Sequence, residues 1–559
     1  MSSITKQHVG CYVYLYESRS YWDSKSKSPK NRKKCIGMID PDTGDEYFKQ
    51  EYIDQQKREG NPTDNMKVWI DHRKSTPSQA DVLNAETFSL AQEILGTVKN
   101  FGLAYFLQAV AEGIGLADIL KQALPQCWQK VLVLACYLVA EDKPTMYCSD
   151  WVEENDCREI GNMSSQRISE LLSAFGYNHR TIFYKLWYQH IREKEYIALD
   201  ITSVSSYSDN MEIIEWGHNR DNERLPQLNI CMLYGTNSKL PVFQSLYNGS
   251  LTDVTTLETT LDEFEAITGT RDIMLIMDKG FFSGKNLKKL LGDDDHAPYR
   301  FLIPVSFTNN FAKTHVNNER ANIDDVENII LTSDYGMPVR GVHRLSTCSW
   351  NNKIKLHTHI YYDPERALRY RNDLYEYLAG LKKSALEGDE DPKLQKMFQK
   401  YLDIEKVEGS DGQVIVKFRK EAVEKHLGHS GWLILISNDI DDTQGALDLY
   451  RIKDVVEKSF FQYKSNLGLD RLRVHSDEKA LNKTFVAFIA LIISSHIRKV
   501  MKDKGLERFF VFGKLLSTLS KLKIAYVSHT PVLQPLTKEQ KLIFKSFSIK
   551  MPCAVDDLK

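Results

Sequence analysis

The sequence predicts an α/β protein of several domains built around a mixed sheet. Apolar runs with strand character recur between residues 196 and 305, first as three consecutive strands and then alternating with stretches of helical periodicity. A meander that continues into βα units is typical of a mixed sheet with helices on its faces. The chain has 559 residues, several times the roughly 150 residues of an ordinary domain, which leaves room for further domains on either side.

Composition excludes several classes of protein. Hydrophobic residues make up 42% of the chain and charged residues 26%, as in ordinary globular proteins and unlike disordered, collagenous or coiled-coil chains. The longest apolar runs, 131–140 and 485–493, are about half of the roughly 20 residues that a membrane helix needs. Since the N-terminus also has no apolar stretch after a basic region, we expect a cytoplasmic protein without membrane association.

Charge is unevenly distributed along the chain. The formal net charge is only −2, but residues 25–34 carry six basic residues in ten, and residues 496–550 carry twelve Lys/Arg against three Asp/Glu. Either stretch could contact a nucleic-acid backbone. A solvated loop and an ordinary basic surface would have the same composition.

The pattern along the chain divides it into six regions. Residues 1–77 form an N-terminal β-hairpin module with a basic loop, which could bind DNA, and residues 78–195 form a helical domain that could bind a DNA end or simply pack. The predicted mixed sheet follows, with a β-rich insertion and a return to helical periodicity before the basic C-terminal region. We assign these four parts to residues 196–305, 306–440, 441–500 and 501–559. We expect the sheet to be complete at Val305 with no strand of 306–440 joining it, and we expect one long charged helix over about 364–406 within the insertion.

Two carboxylates follow apolar strands. Asp200 comes at the end of the strand core that begins at Tyr196, and Asp278 directly follows the strand Ile273–Met277. If the two strands are neighbours in one sheet, both carboxylates lie at the same rim, and their oxygen atoms suit Mg²⁺ or Mn²⁺. Either aspartate alone could instead begin a loop or cap a helix.

A further set of polar residues lies on a predicted helix spanning 449–464. At 100° per residue, four of its polar side chains fall on one stripe. They are Tyr450, Lys453, Glu457 and Lys464. The adjoining apolar stripe can pack on the sheet and hold Glu457 beside it. Surface helices often show similar charge patterns.

Together these motifs resemble a known family. Asp200 in Ala-Leu-Asp-Ile-Thr-Ser, Asp278 in Met-Asp-Lys-Gly-Phe-Phe-Ser, and the pattern Tyr450-x2-Lys453-x3-Glu457-x6-Lys464 are similar to the DDE transposases of bacterial insertion sequences. The subgroup is the one with a Tyr-Arg-Glu-Lys signature and a β-strand insertion domain. Gly217-His-Asn-Arg-Asp-Asn-Glu-Arg-Leu-Pro-Gln also resembles a segment of that family, and the resemblance covers roughly residues 196–500. Lys453 departs from the signature, which has arginine there.

The resemblance implies a ribonuclease-H-like catalytic domain and a DNA transposase that cleaves transposon ends and transfers the strands into target DNA. Asp200, Asp278 and Glu457 would be the catalytic residues and the ligands of two Mg²⁺ (or Mn²⁺) ions in each active site. The partners would be double-stranded DNA, both the terminal inverted repeats and the target, and a second copy of the chain in a synaptic homodimer. Localisation would be the bacterial cytoplasm, at the nucleoid when DNA is bound.

The same resemblance nominates DNA contacts. Tyr450 and Lys464 would hold phosphates near the cleaved end, with Lys453 and Lys279 as further candidates. Three more residues are candidates from their surroundings in the sequence, namely His218 and Arg220 in the family-like segment and Trp350 in the insertion. Trp350 would stack on a flipped base. A core tryptophan and ordinary loop roles are the alternatives for these three residues.

Two other functions fit part of the pattern. A hydrolase with a carboxylate pair would account for Asp200 and Asp278, but not for the lysine-flanked Glu457 or the basic stretches. A transposase-derived DNA-binding protein that no longer cleaves DNA would account for the basic stretches, although all three acidic residues are present.

Overall fold

The computed structural model describes most of the chain in two compact units. The units are Met1–Leu95 and Gly96–Lys559, so the first division falls later than the predicted boundary after residue 77. The described residues are 2–9, 12–23, 28–40, 43–69, 98–157, 160–191, 196–208, 211–217, 223–251, 253–292, 296–330, 338–348, 351–389, 391–406, 414–453, 463–464, 469, 471–527 and 530–552.

In its described residues, the first unit is a five-stranded sheet with one helix. The strands follow one another in chain order, all antiparallel except for the last pair. They are β1 (Ser2–Val9), β2 (Tyr12–Asp23), β3 (Ser28–Ile39), β4 (Glu46–Phe48) and β5 (Lys67–Val68). Helix α1 (Gln50–Arg58) buries Tyr52 and Ile53 in a small core with Leu15, Ile36 and Phe48.

The second unit begins with a helical body. Its strand and helices are β6 (Val98–Asn100), α2 (Gly102–Gly113), α3 (Leu116–Ala123), α4 (Trp128–Ala140), α5 (Cys148–Glu154), α6 (Ser165–Leu171) and α7 (Tyr177–Ile191). In α4, every residue from Val131 to Val139 is buried. That apolar run therefore belongs to the interior of the helical body.

The C-terminal region packs on this helical body. It comprises α16 (Phe512–Ser520), β18 (Lys523–Val527), β19 (Thr530–Leu533) and α17 (Lys538–Ser546). Strand β18 pairs with β6, and the hydroxyl of Tyr105 donates to the carbonyl of Lys550 at 2.9 Å. The basic stretch at the end of the sequence is thus carried on a folded segment that completes the helical body.

The central sheet forms where the sequence predicts it. Its first elements are β7 (Tyr196–Ser205), β8 (Gln227–Gly235), β9 (Pro241–Asn248), α8 (Asp253–Thr268), β10 (Met274–Met277), α9 (Gly284–Leu291) and β11 (Arg300–Pro304). Strands β7 to β9 form the predicted antiparallel meander, and β10 is parallel to both β7 and β11. The side chain of Ser283 caps α9 by accepting from the backbone N–H of Asn286.

The sheet does not end at β11. After α10 (Asn310–Glu319) come β12 (Ile329–Ile330), β13 (Val339–Cys348), β14 (Asn351–Tyr362) and β17 (Trp432–Ser437), which extend it to nine strands. Ser437 of β17 lies opposite Leu302 of β11 on one side and His357 of β14 on the other. The expectation that the sheet is complete at Val305 and that no strand of 306–440 joins it is therefore wrong. The pairing of β17 with β11 spans more than a hundred residues, and no local pattern reports such a contact.

A smaller excursion leaves the sheet between β14 and β17. It contains α11 (Pro364–Leu386), α12 (Pro392–Tyr401), β15 (Leu402–Lys406), β16 (Val414–Phe418) and α13 (Lys420–Leu427), and it has its own apolar core. The single long helix predicted over 364–406 is thus two helices and a strand. The backbone N–H of Asp363 donates to the carbonyl of Gly431 at 2.8 Å, so the two ends of the excursion lie side by side.

The described part of the second unit contains two more helices, α14 (Thr443–Ile452) and α15 (Asp477–Asp503). By length and composition α15 could cross a membrane, and so could α2 and α3 taken together as one bent span. However, 89% of the apolar window of α15 is buried inside the protein, where the helix packs against α4 and β9. Packing of the interior accounts for its hydropathy.

Candidate active site

Asp200 and Asp278 lie next to each other on neighbouring strands. Because β10 is parallel to β7 with Met277 opposite Leu199, the register continues to Asp278 beside Asp200. Adjacent strands are about 4.8 Å apart, so the two side chains start from neighbouring backbone positions. One carboxylate oxygen of Asp200 accepts the backbone N–H of Ile201 at 2.8 Å, and both aspartates are partly exposed.

The end of α14 reaches this pair of aspartates. The ammonium of Lys453 lies 3.4 Å from Oδ1 of Asp278, with the lysine side chain 7% exposed and the aspartate side chain 36% exposed. Lys453 follows directly after the last residue of α14. The buried lysine therefore fixes one oxygen of a more exposed carboxylate.

Tyr450 and Lys453 also line a cavity beside the aspartates. The cavity has a volume of about 180 Å³ and lies between α14, the extended sheet and the start of α11. Two further cationic residues line it, Arg366 and Arg451, as does the aromatic ring of Tyr361. Three cationic side chains and one carboxylate, that of Asp363, line the opening, and the excess of positive charge favours a negatively charged occupant such as a phosphate group.

Lys464 belongs to a second charged cluster, beyond the end of β7. The guanidinium of Arg471 lies 2.6 Å from Oε1 of Glu223, and the hydroxyl of Ser205 donates to Oε2 at 2.6 Å. The hydrogen bond from Ser205 and then the charges of Arg471 and Lys464 lower the pKa of the Glu223 carboxyl. Through Glu223 the cluster ties Arg471 to Ser205, at the end of the strand that carries Asp200.

Sequence reasoning missed Glu223, Arg471 and Ser205. Glu223 lies within the segment Gly217–Gln227 that resembles the transposase family, so the segment itself was a signal. Arg471 sits in Leu469-Asp-Arg-Leu-Arg, where nothing in the local pattern distinguishes it from a surface arginine.

Four predicted site residues lie outside the described residues, namely His218, Arg220, Trp350 and Glu457. Lys279 is described, and its side chain is exposed one residue after Asp278. The structure therefore brings Asp200, Asp278 and Lys453 together, with Tyr450 nearby, and places Lys464 beside Glu223.

The aspartate pair fits part of a divalent-cation site. Its donors are carboxylate oxygens, which hard cations such as Mg²⁺ prefer, and Lys453 contacts Oδ1 of Asp278, so the carboxylate has a second oxygen to offer a metal. Among the described residues, no group of three His, Cys, Asp or Glu side chains is placed to hold a metal ion. Glu457, the third predicted ligand, is not among those residues.

Comparison with known proteins identifies the class to which this sheet and these acids belong. Residues 192–493, more than half of the chain, match the family described as Transposase DDE domain. The chain therefore belongs to the DDE transposase family, and the resemblance read from Asp200, Asp278 and the residues around Tyr450 is confirmed at that level.

Other comparisons are more distant. The chain is similar to a solved structure titled as the cryo-EM structure of piggyBac transposase synaptic complex with hairpin DNA, at 12% sequence identity and a TM-score of 0.32. That similarity covers 65% of this chain and 60% of the piggyBac chain, so this protein spans less than two thirds of the relative's length. No curated protein matches the chain.

Proposed function

We propose that this transposase cleaves DNA at the ends of a transposon and joins the freed 3′ ends to target DNA, with Asp200, Asp278 and Glu457 as its catalytic acids. The observation that carries the proposal is the neighbouring position of Asp200 and Asp278 on parallel strands inside the family-matched region. Lysine and tyrosine side chains surround that pair, as a reaction on a polyanion requires.

The three acids would hold two divalent ions, Mg²⁺ or Mn²⁺, as is typical of the family. Bound metal supplies activation of the attacking oxygen and stabilisation of the leaving oxygen during in-line displacement. Asp200 and Asp278 would supply carboxylate oxygens from neighbouring positions of the sheet, and Glu457 would supply a third carboxylate. Lys453 would act on the site through Asp278, because its ammonium holds Oδ1 and limits the rotation of that carboxylate.

DNA would approach along the cationic side chains on both sides of the aspartates. Tyr450 borders the cavity with Arg366 and Arg451, and these groups together would bind a phosphate beside the cleaved bond. Lys464 would bind a second phosphate beside the ion pair of Glu223 with Arg471. Lys279, His218, Arg220 and Trp350 remain proposed contacts to the DNA end.

The strand arrangement supports a ribonuclease-H-like catalytic domain. A meander of β7 to β9 is joined by the parallel strands β10 and β11, and the first acid lies in β7 itself. The spacing of Tyr450, Lys453, Glu457 and Lys464 supports the Tyr-Arg-Glu-Lys subgroup and an origin in a bacterial insertion sequence. We propose a homodimer, since two ends must be paired, that acts in the cytoplasm at the nucleoid.

The proposal is tested by nicking of a plasmid that carries the coding sequence with its flanking DNA. Asp200→Ala, Asp278→Ala and Glu457→Ala should each lower Mg²⁺-dependent cleavage by at least about a thousandfold, because each removes a metal ligand. Binding of the same DNA in a gel shift should stay within about threefold of wild type, since the acids hold metal and contact no phosphate.

Asp262→Ala is the matched control, because Asp262 is an exposed carboxylate that pairs with Lys289 on the surface of α8. It should cleave like wild type. Cleavage at the wild-type rate in any of the three site variants would remove that residue from the active site. Cleavage without divalent metal would contradict the proposed chemistry altogether.

A further inference from the structure

The first unit carries a two-stranded ribbon that extends beyond the rest of its sheet. Strand β1 pairs with β2 only as far as Ser2 opposite Arg19, and β4 pairs with β3 only at residues 37–39. The pairing of β2 with β3 continues further, to Asp23 opposite Ser28. Among the described residues, the ladder from residue 20 to residue 31 therefore has no third strand.

Both faces of this ribbon are open to solvent. Tyr21 and Trp22 are 49% and 66% exposed, and the side chains of Lys30, Lys33 and Lys34 are exposed as well. Lower in the same hairpin Leu15 and Ile36 are fully buried, so the exposure begins where the neighbouring strands end. Large aromatic side chains exposed together at the end of an element mark a contact surface.

The charge of the ribbon indicates its partner. Residues 19–34 contain seven Lys or Arg and one acidic residue, Asp23. Directly opposite residues of an antiparallel pair lie on the same face, so Lys30 stands beside Tyr21. Two exposed aromatic rings close to cations on a narrow ribbon match a nucleic acid, whose bases stack and whose phosphates are anionic.

The dimensions of the ribbon favour duplex DNA. The major groove is about 12 Å wide and about 8.5 Å deep and admits a two-stranded β-ribbon. At about 3.3 Å per residue, the four residues of β2 beyond Arg19 extend about 13 Å, enough to cross the depth of the groove.

We propose that the paired residues 19–23 and 28–34 form a DNA-binding ribbon that enters the major groove of duplex DNA. Lys33 and Lys34 contact phosphates at the groove edge, and Tyr21 and Trp22, close to the last described pair of the ladder, reach the bases. The proposal rests on the transposase function above for its biological setting. It adds a contact outside the family-matched residues 192–493.

The test measures how the binding of the full chain to a 40-base-pair duplex of random sequence depends on salt concentration. Binding is measured by fluorescence anisotropy in the presence of EDTA. Lys33→Ser/Lys34→Ser should lower the slope of log K against log [salt] by about two and weaken binding at least about fivefold at 0.1 M salt. The matched control is Lys57→Ser/Arg58→Ser, which removes the same charge from exposed residues at the end of α1 in the same unit. It should leave the slope unchanged.

A second measurement uses the wild-type chain and so does not depend on the folding of a variant. In a duplex whose cytosines are replaced by glucosylated 5-hydroxymethylcytosine, the glucose groups occupy the major groove and the phosphates are unchanged. We expect this duplex to be bound at least about fivefold more weakly than the unmodified duplex. Trp22→Ala should reduce that preference.

An unchanged slope in the ribbon variant, or an equal drop in the control variant, would overturn the proposal. Equal binding of the two duplexes, or tighter binding of a single-stranded 40-mer, would exclude the major groove. Because binding is measured without divalent metal, these outcomes are independent of plasmid nicking. A failure of the proposed catalytic acids would appear only in the nicking assay.

Discussion

The two halves of the nine-stranded sheet use their polar side chains differently. In the catalytic half, β7 to β11, the polar groups of interest stand at the rim, where Asp278 is partly exposed and pairs with Lys453. In the extension half, β12 to β14 and β17, three histidines stack across β13 and β14. His343 lies 3.0 Å from His357 between ring nitrogens, and His359 contacts the carbonyl of Ile440 at 3.0 Å.

This difference separates the half of the sheet that carries the candidate active site from the half whose polar side chains are packed in the sheet interior. Both aspartates are partly exposed, and Asp278 has a second carboxylate oxygen, besides the one that Lys453 contacts, to offer a metal. His359 is fully buried, and burial lowers its pKa to about 4, so it stays neutral at physiological pH. The catalytic half therefore offers charge to a substrate, whereas the extension half keeps His359 uncharged inside the sheet.

The largest effect is expected from deletions in the extension half. Removal of residues 306–440 deletes β13, β14 and β17 and leaves the backbone of β11 without its partner from Leu302 to Pro304. An uncovered sheet edge promotes aggregation, so we expect this variant to be insoluble or to unfold without cooperativity. Size-exclusion chromatography and thermal unfolding measure both properties.

The matched deletion replaces residues 365–427 by a short Gly/Ser linker. It spares the sheet, and the contact between Asp363 and Gly431 shows that the two ends lie close enough to be joined. We expect a soluble chain that unfolds cooperatively. If the variant without residues 306–440 were as soluble and unfolded as cooperatively as the matched deletion, the extension half would not be needed to support the catalytic half.

A smaller effect is expected from a single cation of the catalytic half. Lys464→Ala should lower the salt slope of binding to the transposon end by about one and weaken binding by up to about tenfold, because one phosphate contact is lost. Lys396→Ala, an exposed lysine of α12, is the control and should leave the slope as it is. An unchanged slope in Lys464→Ala would assign Lys464 to the charged cluster with Glu223 alone.

The last expected effect is on the pH dependence of the free energy of unfolding, and it concerns the extension half. An unfolded histidine has a pKa of about 6.5, so protons bind the unfolded chain preferentially between pH 6.5 and about 4. The stability contributed by neutral His359 is therefore complete above pH 6.5 and is lost as the pH falls towards 4, by about 3 kcal/mol at most.

Urea unfolding at several pH values tests this expectation. His359→Gln should make the free energy of unfolding less dependent on pH in that range, while His475→Gln, at an exposed position, should not. The same pH dependence in His359→Gln and wild type would show that His359 is not the titrating group. His496, whose pKa burial also lowers to about 4, would then be the next candidate.

The two halves also differ in how far the sequence predicts them. Strands β7 to β11 are short apolar runs separated by turns and helices, and their acids follow directly, so local patterns were sufficient. The joining of β17 to β11 depends on residues such as Leu302 and Ser437, which are distant in the chain. Lys453 shows a similar limit, since the family resemblance implied a DNA contact for it, whereas the structure buries it against Asp278.

The central claim is that Asp200 and Asp278 together hold the divalent metal of this transposase. The most direct measurement replaces Mg²⁺ by Fe²⁺ and maps, by mass spectrometry, where hydroxyl radicals produced at the bound iron cut the polypeptide. We expect cuts next to Asp200 and next to Asp278, and we expect the cuts at both places to disappear in Asp278→Asn and on competition with excess Mg²⁺. Cuts confined to other parts of the chain, or cuts that persist in Asp278→Asn, would contradict it.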